Sequence, residues 1–376
     1  MNQIKYFLIF LFLFPCLLRS EGVLSVYPHH PGLSDSTYIY HSVNVITGEY
    51  SESQNDLHLS GLESFVLRRF HNRDDRFMYG WHCNLPNLIH APMSTDAGQF
   101  TPSQKITYGF DPHNRLKSVT ASDYTEREVY GWMNIQYTDG ENRKCHITTH
   151  DHQQVTYHFQ DKYLISEVQS TAYPTISYKY QPHPSGEGYV IHRRELPQGR
   201  YLENEYYPQG HEHAGKVCCQ KQPLGADQAP VIVQRFMYYP GYTVVLDAIG
   251  CQTLYRYANG HITSIENYDQ EGILCRKEVL IWTIVGSEKN YQIQTRYIAD
   301  AQDNILMARS FAYDAQGHMI KETLYGNLTG ISLAPIVIGQ NGYPLKNGVE
   351  SYSISHEYSQ NLLSKTREDN GKTTLF

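Results

Sequence analysis

Apolar and polar residues alternate along most of this chain, and glycine, proline or asparagine interrupts the alternation at short intervals. Val155, Tyr157 and Phe159 alternate with Thr156, His158 and Gln160, and Ile176, Tyr178 and Tyr180 alternate with Ser177 and Lys179. Nearer the start, Val43, Val45 and Tyr50 alternate around a turn at Thr47-Gly48. Leu57 and Leu59 alternate before Gly61, and Phe65, Leu67 and Arg69 share one parity. Side chains of a strand point to opposite faces in turn, so this rhythm predicts strands with one buried face. Helical periodicity is absent, and the pattern predicts an all-β chain.

Turn signals join the strands into hairpins. A tyrosine–aspartate unit recurs as Tyr268-Asp269-Gln270-Glu271-Gly272 and Tyr313-Asp314-Ala315-Gln316-Gly317, with a looser copy at Phe110-Asp111-Pro112-His113-Asn114. Each residue type has a mechanical job. The aromatic packs on a strand, the aspartate accepts backbone N–H groups across the turn, and glycine or asparagine takes the left-handed conformation that closes it. Asn259-Gly260, after Tyr255 and Tyr257, is a hairpin signal of the strongest kind. The structural turn positions are therefore Asp111, Asn114, Asn259, Gly260, Asp269, Gly272, Asp314 and Gly317. Residues 71–103 are less regular and carry Pro86, Pro92 and Pro102, which predicts a linker or surface loop near 90–103. Glu357-Tyr358 opens a further unit, Asp369-Asn370-Gly371 turns again, and the chain stops in the strand that follows. A repeat array needs a cap over its last edge, so an array truncated at its C-terminal end is expected.

Composition changes the picture in three ways. Among 376 residues, 32 are tyrosines against 13 phenylalanines and three tryptophans, which suits half-buried sheet surfaces. The net charge of −7 argues against nucleic acid as a partner. Lys5 followed by the apolar run Tyr6 to Leu18, with Ser20 at a cleavage point, reads as a signal peptide over residues 1–20. Phe14-Pro15 is a poor context for lipid attachment at Cys16. A secreted or cell-surface protein is expected, with no transmembrane helix after the signal peptide. Six cysteines then remain, Cys83, Cys145, Cys218, Cys219, Cys251 and Cys275, and their pairing is open.

With these residues in view, the chain resembles the amino-terminal part of an RHS-repeat (YD-repeat) protein. Val43-Asn44-Val45-Ile46-Thr47-Gly48, Asp56-Leu57-His58-Leu59-Ser60-Gly61, Arg68-Arg69-Phe70 and Gly80-Trp81 follow one another as in the opening module that precedes such repeats. The tyrosine–aspartate units carry the rest of the likeness. Residues 21–40, where Pro, Gly, Ser and His mix, read as an irregular leader, and the resemblance implies an opening β module over 41–95 and hairpin repeats over 104–376. It also implies an elongated curling sheet, a partial shell that encloses a carboxy-terminal polypeptide. The shell-closing Asp-Pro-x-Gly motif linked to self-cleavage in that family has no counterpart here, since Phe110-Asp111-Pro112-His113 lacks the glycine.

Catalytic signatures are missing, and no enzyme activity or cofactor is expected. Gly330-Ile331-Ser332 lacks the second glycine of a nucleophile elbow. The turn aspartates have a sufficient structural role, against a reading as paired glycosidase carboxylates. His211-Glu212-His213 followed by Cys218-Cys219 is the best metal candidate, but its spacing matches no standard site. A polar hairpin tip with solvated histidines is the plainer reading, and His29-His30 reads as a surface pair. Asn327-Leu328-Thr329 fits a glycosylation acceptor in a eukaryotic secretory route only. The expected function is an exported non-catalytic RHS-type structural segment. It is either part of a β-shell around an effector or a surface interaction module. Its partners would be the remainder of the array or a C-terminal effector. The alternatives are a surface adhesin that binds carbohydrate, or a cell-surface protein, through exposed tyrosines, and a secreted glycosidase.

Overall fold

The computed structural model describes residues 38–39, 42–59, 65–72, 80–85, 88, 105–123, 125–161, 164–186, 188–225, 228–286, 290–359 and 361–375. The expected signal peptide, His29-His30, Gly61, Pro86 and the expected loop near 90–103 lie outside them. The described chain is all-β. No described helix is long and apolar enough to cross a membrane.

Twenty-one strands, from Lys105–Phe110 to Thr373–Leu375, form one antiparallel meander in which each strand pairs with the next in the chain. The result is an open, elongated, curling sheet of successive hairpins. Alternation sets its faces. In Val129–Thr138, Gly131, Met133 and Ile135 are buried while Trp132, Asn134 and Gln136 are exposed. A separate three-stranded sheet, Glu52–Leu59, Phe65–Asn72 and Gly80–Cys83, belongs to the opening segment. Before it, Asn44 closes a tight turn. Its carboxamide oxygen accepts the N–H groups of Ile46 and Thr47, and Val43 bridges to Tyr50. Both parts share one hydrophobic core, in which Val43, Val45, Leu57, Leu67 and Trp81 meet Met133, Ile147, Tyr157, Tyr178 and Phe236.

The tyrosine–aspartate turns share one geometry. Asp314 Oδ1 accepts the N–H groups of Gln316 and His318, and Gly317 has φ +94°. Asp111 Oδ1 accepts those of His113 and Arg115, with Asn114 at φ +59°. Asp269 Oδ1 accepts that of Ile273, with Gly272 at φ +80°. Two further copies escape the sequence pattern: Asp247 accepts Ile249 and Cys251 N–H, and Asp300 accepts Gln302 and Asn304 N–H. Neither has an aromatic residue before its aspartate, so the tyrosine–aspartate pattern passes over both. At Glu368–Lys372 it is Glu368, not Asp369, that opens the turn through paired backbone bonds. Phe110 departs from expectation, since its ring is 42% exposed instead of packed. Asn259 and Gly260 both have positive φ between the paired Ala258 and His261, as a two-residue hairpin of the tightest kind requires.

The tyrosines have a use beyond packing. Register shifts fall beside Tyr180, Tyr206, Tyr257, Trp282, Tyr313 and Tyr358. At each of them the ring's polar tip donates to a carbonyl on an earlier strand: Ile165, Ile191, Tyr239, Ile262, Ile293 and Met319 respectively. A bulge disrupts the ladder locally. A phenol is long enough to supply a donor where the backbone does not, and phenylalanine has no donor to offer.

Candidate functional site: the seat of the opening segment

In the strand Glu52–Leu59 strict alternation is broken beside Leu57. The register passes from Asn55 opposite Arg68 directly to Leu57 opposite Leu67, so Asp56 is the extra residue of a bulge. A bulge turns two successive side chains toward one face. Asp56 and Leu57 are both buried.

There Asp56 meets Arg69, whose Nε lies 2.9 Å from Oδ2, and neither side chain is exposed. The meander supplies the remaining partners. Tyr157 donates to Asp56 Oδ2 at 2.5 Å, Tyr173 donates to Oδ1, and Arg69 Nη1 donates to the Tyr178 hydroxyl at 2.8 Å. The guanidinium lies 4.6 Å from the Trp81 ring centre and 5.5 Å from that of Tyr178. Trp81 Nε1 donates to the Tyr180 hydroxyl at 2.7 Å. Burial pushes the Asp56 carboxyl up, against the lowering pull of Arg69. Burial likewise pushes the phenols of Tyr157, Tyr173, Tyr178 and Tyr180 up, so they remain donors across the ordinary pH range.

A second contact set lies beside the first. Arg194 Nε is 3.0 Å from Glu52 Oε1, and Tyr50 donates to Glu52 Oε2 at 2.7 Å. Thr243 Oγ1 donates to the Val45 carbonyl and Val217 N–H to that of Gly48. Gly48 has φ +77°, and a Cβ there would lie 2.5 Å from Lys216 Cβ, so only glycine lets the turn approach the sheet. His71 sits edge-on to Trp81, fully buried, with neither ring nitrogen hydrogen-bonded. Burial holds its imidazole down to about 3. A hollow of about 520 Å³ opens between the segment and the sheet, bordered by Glu52, Arg194, Gln220 and Gln234.

The metal candidates are not brought together as their order suggested. His213 Nε2 bonds the Tyr238 carbonyl at 2.8 Å, and His211 stacks on Tyr207 with its Nδ1 accepting the His213 N–H. The cysteines gather instead with Glu205. Among the described residues no disulfide joins any two of the six cysteines. The aspartates Asp111, Asp269 and Asp314 each serve their own turn. The sequence signal for the seat is a charge at a buried parity, Arg69 two places from Leu67, and alternation alone gives it no partner.

Residues 40–99 match a family described as Domain of unknown function (DUF6531). No curated protein matches the chain. Among solved structures, the crystal structure of TcdB2-TccC3 aligns with 86% of this chain and 19% of its own, at 11% identity and a TM-score of 0.45. A porin-like protein from Bacteroides uniformis aligns with 60% of this chain and 89% of its own, at 12% identity and a TM-score of 0.21. The Photorhabdus luminescens Tc holotoxin pore aligns with 87% of this chain and 25% of its own, at 9% identity and a TM-score of 0.20. The chain thus spans about a fifth of the TcdB2-TccC3 chain.

Proposed function

We propose that this is an exported, non-catalytic structural segment of RHS type, a length of sheet wall that encloses or presents an effector. The observation that carries the reading is the seat. Residues from each element of the opening segment, Val45 and Gly48, Asp56, Arg69 and Trp81, make its contacts with the meander. An opening segment fastened to one face of a long curling sheet suits a wall whose start must be anchored before it can enclose anything. Many tyrosine hydroxyls are spent on carbonyls within the sheet, which favours the wall over a sugar-binding surface.

The test is protease protection. The gene would be expressed with whatever its locus encodes in frame beyond Phe376, and the secreted product digested with a broad-specificity protease. Survival of a non-repeat polypeptide together with the sheet is the expected result. Rapid loss of that polypeptide while the sheet persists would sink enclosure. A glycan array checks the adhesin reading, and specific binding lost on Tyr239→Ala would favour it instead.

A further inference from the structure

The geometry points to a binding site for one soft divalent cation, of the zinc or cadmium class, formed by Cys218, Cys219 and Glu205. Adjacent residues of a regular strand face opposite ways, so two neighbouring cysteines ordinarily cannot chelate one ion. Here they can. The register passes from Glu205 opposite Cys219 to Tyr206 opposite Val217, which leaves Cys218 as the extra residue of a bulge. Both sulfurs and a Glu205 carboxylate oxygen consequently lie within 4.8 Å of one another. The Cys219 thiol already donates to Glu205 Oε2 at 3.0 Å. Ligand atoms around a tetrahedral zinc stand about 3.5–3.8 Å apart, given zinc–sulfur bonds of about 2.3 Å. Small side-chain rotations would close the difference.

The surroundings fit two thiolates and a carboxylate. Lys221 is ion-paired to Glu205, and Arg235 stands opposite Cys219 in the register. These two cations offset the negative charge of the ligand set. Loading would release two thiol protons and three waters of the hydrated ion and form two sulfur–metal bonds and one oxygen–metal bond through Glu205 Oε2, with Lys221 kept on Oε1. Cys218 and Glu205 are only partly buried, so the fourth position is left to solvent. By alternation with Asn204 and Gln220, the site faces away from the opening segment and is independent of the seat and of the wall reading.

The test uses the full chain, reduced, titrated with cadmium, which gives an ultraviolet charge-transfer band when thiolates bind it. The band should saturate at one equivalent and disappear in C218S and in C219S. In E205Q the affinity should fall about tenfold or more, as loss of a ligand does. It should be unchanged in the double variants H211A/H213A and C251S/C275S. No band, a band that survives C218S/C219S or is lost in C251S/C275S, or unaltered affinity in E205Q would overturn the assignment. Circular dichroism of the metal-free variants verifies their folding. Should a serine variant fail to fold, alkylation of the unmodified chain decides. Cadmium must then shield Cys218 and Cys219 but not the exposed Cys275, and equal alkylation of all three counts against the site.

Discussion

Arg69 is a guanidinium with no exposed surface, bonded to the Asp56 carboxylate and to the Tyr178 phenol among others. Removing it strands the Asp56 carboxylate in a low-dielectric core. Arg69→Met should therefore destabilise the fold by about 3–5 kcal/mol, the usual cost of breaking one partner out of a buried pair. Urea unfolding measures this, and adding Asp56→Leu should recover much of the loss. A fully additive double variant would show that the pair is not coupled. His71 gives a pH signature. Its folded pKa, about 3, lies below the unfolded value near 6.5, so on acidification the unfolded chain takes up a proton that the folded chain refuses. Stability attributable to His71 is whole above about pH 6.5 and declines as pH falls toward 3. Between about pH 7 and 5.5 the loss should be about 1 kcal/mol, and His71→Phe should lack that part of the pH dependence. Parallel urea midpoints for the two proteins at both pH values would show it.

Hairpins are the repeating element, and each depends on its turn and on the bulge beside it. Gly317 has φ +94°, and a Cβ placed there would meet nothing within 4 Å, so Gly317→Ala probes backbone strain alone. It should cost about 1 kcal/mol, and Gly317→Asn should cost less, because asparagine tolerates the left-handed region that Asn114 already occupies. Thermal melts of the two variants compare them directly. Tyr313 tests the bulge. Its hydroxyl donates to the Ile293 carbonyl at 2.8 Å, and Tyr313→Phe should lose about 1 kcal/mol with the ring packing preserved. A loss no larger than that of an exposed tyrosine, such as Tyr189→Phe, would mean that the carbonyl finds water instead. The positions of these turns were legible from Asp, Gly and Asn spacing. The bulges were not, because a bulge is a relation between two strands and leaves no fixed mark on either one.

Across the whole molecule, the seat couples residues more than 100 positions apart, as Asp56 and Tyr157 or Arg69 and Tyr178 show. Loosening the seat should thus be felt locally in the meander. Arg69→Met should speed amide hydrogen exchange in Gln154–Phe159 and Ile176–Pro182 while leaving Glu350–Ser359 and Leu362–Glu368 at their original rates. Uniform acceleration along the sheet would show that the meander opens as one cooperative unit and that the seat is not a separate clamp.

The sequence by itself determined the class of this protein: period-two alternation can only bury one face of a strand, and the turn residues can only close hairpins. It also marked Gly48, Arg69 and Trp81 as residue types that stand out near the start of the chain. What it could not determine is where the charged members point. Asp56 and Cys218 each sit on a bulge, and one extra residue there reverses the parity on which every inward or outward assignment rests. Only the pairing of strands in three dimensions decides that parity. The tertiary structure therefore chose both the buried partner of Arg69 and the face on which two neighbouring cysteines meet Glu205.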